Sequence, residues 1–204
     1  MNCYSNLCVL VQERQIGLAF FKAFNMKVSS RVTVMAFNNK EPNLKSSVFV
    51  ADGCRVIGDV SVQEDSSLWF NVVCRGDVNS IRIGARTNIQ DNSLVHVNQD
   101  GPKVEIGNFV TVGHQVTLHG CQIKDNVLVG MGSCLLDGVV VGEKSIVAAG
   151  SLLTPNKIFP SGVLIKGRPA KVCRELSQEE IETMIFHASN HYVKLKERYR
   201  VLSL

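Results

Sequence analysis

A chain of 204 residues is long enough to bury a sizeable core and fits one domain with an attachment or two. Its formal charge of +4 is spread along the sequence with no basic run interleaved with aromatics, which argues against a nucleic-acid partner. Seven cysteines stand scattered without short paired spacing, so neither a disulfide framework nor a cysteine zinc knuckle is indicated, and a reducing compartment is expected.

Residues 1–36 differ from the rest: they carry no repeat, and Glu13 is their only acidic residue. Three readings stay open: an organelle-targeting segment, although poor in arginine; sequence upstream of a start at Met26 or Met35; and a disordered tail. The segment has no secretory h-region followed by a small-residue cleavage site. Its apolar run "IGLAFFKAF" contains Lys22 and falls short of the roughly 20 residues that span a bilayer. No membrane partner is expected. A cytoplasmic setting fits the free cysteines, and an organelle matrix is the alternative.

From Val50 the chain divides into sixes, each opening on an aliphatic or similar residue. The openers run Val50, Val56, Val62, Leu68 and Cys74, then Ile83, Ile89 and Val95, then Ile106, Val112 and Leu118. After one five-residue step they continue through Ile123, Val129, Leu135, Val141, Val147 and Leu153. A fixed period of six points to a β-helix, whose coils stack about 4.8 Å apart as neighbouring strands do. Residues 37–176 are therefore expected to form an all-β, left-handed parallel β-helix, stabilised by stacking because one coil cannot bury its own face.

Residues 177–204 read as a C-terminal α-helix packed on that prism. Ser177 followed by Glu180 makes a capping box, and Ile181, Met184, Ile185, Ala188, Tyr192 and Leu195 fall on one apolar stripe. Gly167 and Pro169 mark a turn between prism and helix.

Three of the five histidines sit in the repeat. If Ile83, Ile89 and Val95 open the three sides of one coil, then Ile106, Val112 and Leu118 open the same sides of the next. His96 and His119 each follow an opener of one side and so occupy matching positions on adjacent coils. His114 lies two residues past Val112, on a different side. It does not easily join the other two within one subunit but can do so across a threefold axis, a closed symmetry that would make the protein a homotrimer. Three imidazoles with an open fourth position match a catalytic zinc site. Taken singly, each histidine also reads as a hydrogen-bonding turn residue. His187 and His191, at i and i+4 on the helix, have metal-binding spacing but no third ligand nearby, and read as a solvated helix face.

The segments "VVCRGDVNSIRIGARTNIQDNSLVHV", "VTVGHQVTLHGC" and "VLVGMGSCLLDGVVVG" resemble the γ-class carbonic anhydrases, some of which are labelled hexapeptide transferases or ferripyochelin-binding proteins. The similarity runs from about Ser47 to Tyr199. It implies reversible hydration of carbon dioxide to bicarbonate by a zinc-bound hydroxide at the subunit interface, with His96, His114 and His119 as metal ligands. Iron or cobalt would also tolerate this donor set, since nitrogen ligands alone do not select strongly. The resemblance further implies that Arg75 and Asp77 pair at the subunit boundary and that Gln90 and Asp91 line the metal pocket. Arg75 with Asp77 also reads as a plain structural ion pair, and Asp91 reads equally as a structural residue. Tyr192 reads either as the helix residue that reaches the pocket or as an apolar anchor.

Two positions depart from the family pattern. Val78 and Gln99 stand where the archetype has glutamates assigned to proton export, and a fast cycle needs a titratable relay near neutrality. Asp100 is the local substitute, although a loop carboxylate more often reads as simply solvated. Two other readings follow: a hexapeptide-repeat acyltransferase using acyl-coenzyme A and one histidine as base, and a non-catalytic trimeric scaffold held by metal. Fold alone separates neither from the first.

Overall fold

The structure, a computed structural model, describes residues 31–202. The expected tail thus lies outside the described residues as far as residue 30, while Thr33–Met35 is already a strand paired in parallel with Arg55–Val62.

Short parallel strands wind into a three-sided β-helix. Ser67–Leu68, Asn88–Ile89, Thr111–Val112, Leu128–Val129 and Ile146–Val147 stack in order on the first face. On the second, Leu94–His96, Thr117–His119, Cys134–Leu135 and Leu152–Leu153 follow one another. The third carries Val104–Ile106, Gln122–Ile123, Val140–Val141 and Ile158–Phe159. Two longer strands, Arg55–Val62 and Val73–Ile83, bend across the second and third faces in one piece, with a register shift between Gly58 and Val60. The alternation of side chains across a strand sends the opener of each six inward. Val56, Leu68, Cys74, Ile89, Val95, Val112 and Leu118 are all fully buried in one continuous core. Register pairs opener with opener, Leu68 with Ile89 with Val112 and Cys74 with Val95 with Leu118.

The corners obey the same period. Three residues past the opener the backbone turns left-handed at Asn71, Asn92 and Gln115. The ladder continues at Gly132 and Gly150, where an added Cβ would meet nothing within 4 Å. Glycine is used there for its φ and not for close packing. The "NQDGP" stretch loops out between Leu94–His96 and Val104–Ile106.

The expected junction at Gly167 and Pro169 is the turn of a β-hairpin. Val163–Gly167 extends the first face, and Ala170–Glu175 returns antiparallel to it. Beyond it the Ser177 side chain accepts from the Glu180 backbone N–H while the Glu180 carboxylate accepts from the Ser177 backbone N–H. Arg174 also donates to Glu180, and this bond, followed by the one from the Ser177 backbone, pulls the Glu180 pKa down to about 2.

The helix is wound in three parts: Gln178–Glu180, a π-helical turn Ile181–Phe186, and His187–Leu202. That wider turn changes the apolar stripe. Ile181 and Ile185 pack against Ile146 and Leu128, whereas Met184 is 46% exposed, because i→i+5 winding rotates it off the face that a 3.6-residue period assigns. Farther along, Tyr192, Leu195 and Tyr199 pack on Phe49 and Trp69 of the first face. Lys196 is fully buried there and donates to the Ser47 carbonyl at 3.1 Å, to Asp65 at 3.3 Å and to Glu197. The helix is thereby pinned over the first face. No helix of the described residues is long and apolar enough to cross a membrane.

Candidate metal centre

His96 and His119 end register-paired strands on the second face and stand over one another on adjacent coils. Their rings lie 5.1 Å apart, and His96 Nδ1 is 3.1 Å from His119 Nε2. Arg75 continues the same line one coil earlier, in register with His96. It pairs with Asp77 of its own chain at 2.5 Å. Asp77 Oδ1 sits 3.5 Å from His96 Nε2, and both atoms are buried without a hydrogen-bond partner. Burial, with the Arg75 guanidinium and His119 adding to it, lowers the pKa of His96 and keeps the imidazole neutral.

The sequence did not single out Asp137, which completes this edge. His119 Nδ1 donates to Asp137 Oδ1 at 2.5 Å, and Asn98 donates to Asp137 Oδ2 at 3.1 Å. A glycine makes room for it: a Cβ on Gly120, whose φ is +53°, would lie 2.4 Å from Asp137 Oδ1. The available signal was Asp137 two residues past the opener Leu135, one coil beyond His119, a position that only a count of corner residues reveals.

With Asp137 holding the proton of His119 on Nδ1, Nε2 presents its lone pair toward His96. If the His96 proton faces Asp77, two lone pairs confront each other across 3.1 Å. Such an arrangement calls for a cation or a shared proton. Two nitrogens bound to one tetrahedral zinc at about 2.0–2.1 Å stand roughly 3.3 Å apart, so the pair suits a common metal.

His114 lies on the other edge, in the corner between the first and second faces. Its Nδ1 donates to Asp91 Oδ2 at 2.8 Å, and the ring is 44% exposed, which turns the Nε2 lone pair outward. Asp91 thus serves His114, while Arg75 is held by Asp77. Gln90, beside Asp91, is buried and donates to Asn88 Oδ1 at 3.1 Å; Asn88 in turn donates to Thr111 Oγ1 at 2.9 Å. Trp69 and Gln90 follow the register partners Leu68 and Ile89 and so occupy matching positions. Tyr192 of the helix packs edge-on against Trp69 with ring centroids 5.5 Å apart. Burial raises the Tyr192 pKa, and the Asp91 charge adds to the rise.

One protomer thus divides the sequence-expected residues into two groups. Arg75, Asp77, His96 and His119 meet on the second edge, and Gln90, Asp91, His114 and Tyr192 on the first. Among the described residues of one chain, no three His, Cys, Asp or Glu side chains converge closely enough to hold a metal. Val78 is 42% exposed and Gln99 is exposed. The described cysteines are free thiols, with burial pushing Cys54 up to about 11 and Cys121 up to about 12.

Residues 120–155 match the family described as bacterial transferase hexapeptide, six repeats. The chain is 46% identical over 175 residues to gamma carbonic anhydrase 2, mitochondrial, of Arabidopsis thaliana, covering 83% of this chain but only 63% of the plant protein. To the carbonic anhydrase of Geobacillus kaustophilus it is 43% identical over 169 residues, covering 83% of this chain and 92% of that one. Among solved structures, a hexapeptide transferase family protein from Anaplasma phagocytophilum superposes with a TM-score of 0.78 at 42% identity, over 82% of this chain and 98% of that one. Coil stacking, histidine register and relatives 43–46% identical over 83% of this chain agree: the chain belongs to the γ-class carbonic anhydrase family of hexapeptide-repeat proteins.

Proposed function

We propose that the protein is a homotrimer that hydrates carbon dioxide to bicarbonate at metal sites shared between protomers. The observation that carries this reading is the division of the histidines: a pair 3.1 Å apart on one edge and a single outward-facing histidine on the other. His96 and His119 of one protomer with His114 of the next would hold zinc, with iron or cobalt as alternatives. When bound, such a metal acidifies water to a pKa near 7 and supplies a Lewis acid.

The face between the two edges supports the same assembly. Its outward positions Val73, Leu94, Thr117, Cys134 and Leu152 stack in register. Leu94 is 38% and Met131 57% exposed, an apolar strip that a second copy would cover.

The chain's own groups set the chemistry around the metal. Asp137 and Asp91 keep the Nδ1 protons of His119 and His114 in place, which leaves the Nε2 lone pairs free to ligate and raises their basicity. The Gln90 amide, fixed by Asn88, would orient water or bicarbonate. Trp69, Phe70 and Tyr192 form an apolar lip over the first edge that limits water.

Metal content per subunit and stopped-flow carbon dioxide hydration, compared between wild type and His114→Ala, test the proposal. It expects near one metal per subunit and turnover that vanishes with the metal in the variant. The solved relative described as a hexapeptide transferase supports a second reading, transfer from acyl-coenzyme A; turnover of that donor with no carbon dioxide hydration would establish it. Metal bound with hydration no faster than the metal-free protein would favour the scaffold. The plant relative's mitochondrial designation supports the organelle matrix as the compartment.

A further inference from the structure

Resting on the hydration reading, we propose that His191, with His187 behind it, carries away the proton released in each turnover. Hydration turns carbon dioxide and water into bicarbonate and one proton, and that proton has to reach buffer before the next cycle. The two positions where a relay acid is expected, Val78 and Gln99, hold no titratable group, and both lie beside the second edge.

On the first edge the helix supplies one. The Tyr192 ring packs against Trp69, whose matching position on the next coil is Gln90. The His191 ring stands edge-on to Tyr192 with centroids 5.6 Å apart, and His187 stacks on His191 at 6.4 Å and 22°. Both histidines are exposed. A file of rings, Trp69, Tyr192, His191 and His187, therefore leads out to solvent from the position one coil away from Gln90. An imidazole has one nitrogen that can take a proton while the other gives one up, which suits it to relay work. In each turnover one nitrogen of neutral His191 takes the proton through water and passes it to His187 or directly to buffer, which restores the neutral ring. The i, i+4 pair of histidines thereby gains a role that a solvated helix face does not provide.

The test uses the full-length trimer and the double variant His187→Ala/His191→Ala, assayed for carbon dioxide hydration in dilute buffer and again with added imidazole. In dilute buffer kcat should fall at least about tenfold, with kcat/KM, metal content and oligomeric mass unchanged, and imidazole should restore kcat. A merely structural role would not be rescued by free imidazole. Equal kcat in variant and wild type in dilute buffer, or a loss that imidazole leaves in place, overturns the relay while the hydration reading stands. A metal-loaded wild type that does not hydrate carbon dioxide overturns both.

Discussion

The two edges of the second face make an instructive contrast. At one, His96 and His119 are brought to 3.1 Å by register alone, and Asp77 and Asp137 flank them. At the other, the single His114 stands half-exposed, with Asp91 hydrogen-bonded to its Nδ1. The first arrangement is set by strand stacking and exists in a single chain. In the proposed shared site, the second is completed by a neighbour. A repeat fold can thus bring two imidazoles together from adjacent coils, and under the proposed function an imidazole on another side of the prism joins them through symmetry.

Substitutions that strike one edge or the other test this contrast. The largest effect is expected at the pair: each single variant leaves two nitrogens, but His119→Ala leaves them on different protomers and should retain metal less well than His114→Ala, which keeps the close His96–His119 pair and a weak affinity detectable by titration at high metal. Equal behaviour of the two variants would erase the distinction between the edges. Next come the carboxylates behind the rings. Asp137→Asn and Asp91→Asn should each lower metal affinity about 10–100-fold, read by competition with a chelator of known affinity, while the fold, followed by circular dichroism, is retained.

A smaller effect is expected at Gly120. Gly120→Ala places a Cβ in a left-handed conformation and against Asp137, at a cost of about 1–2 kcal/mol for the backbone, and should displace Asp137 from His119. Thermal unfolding and metal titration should both register it, and the same change at Gly132, where a Cβ meets nothing, should lower stability alone.

The smallest effect concerns the helix that covers the first edge. Ser177→Ala should remove about 1 kcal/mol by loss of the cap. Glu180 has a folded pKa depressed to about 2, so its contribution is complete above the ordinary carboxylate range and is lost as pH falls through that range toward 2. Helix detachment on acidification, followed by Trp69 fluorescence, should therefore begin nearer neutrality in Ser177→Ala than in wild type.

Much of the architecture was legible because the period of six is a direct imprint of coil geometry. The inward openers Leu68, Ile89 and Val112 could be placed by counting, and so could the matching of His96 with His119. Asp137 was not found because it lies two residues past its opener, at a corner, where aliphatic periodicity carries no information. Met184 was misplaced because a π-helical turn breaks the 3.6-residue count, and the hairpin of Val163–Gly167 with Ala170–Glu175 was read only as a turn. Long-range partners such as Lys196 with Asp65 and Ser47 leave no local pattern. The pairing of Arg75 with Asp77 was expected and is present within one chain, whereas the assignment of Asp91 to His114 required side-chain geometry that spacing alone does not contain.

The measurement that bears most directly on a site shared between protomers is subunit mixing. His96→Ala and His114→Ala, each unable to assemble a full site, are co-expressed with different tags and the doubly tagged trimers isolated. The account predicts that neither variant hydrates carbon dioxide alone, while every mixed trimer contains one intact site and regains metal and turnover. Mixed trimers as inactive and as metal-poor as their parents would contradict it.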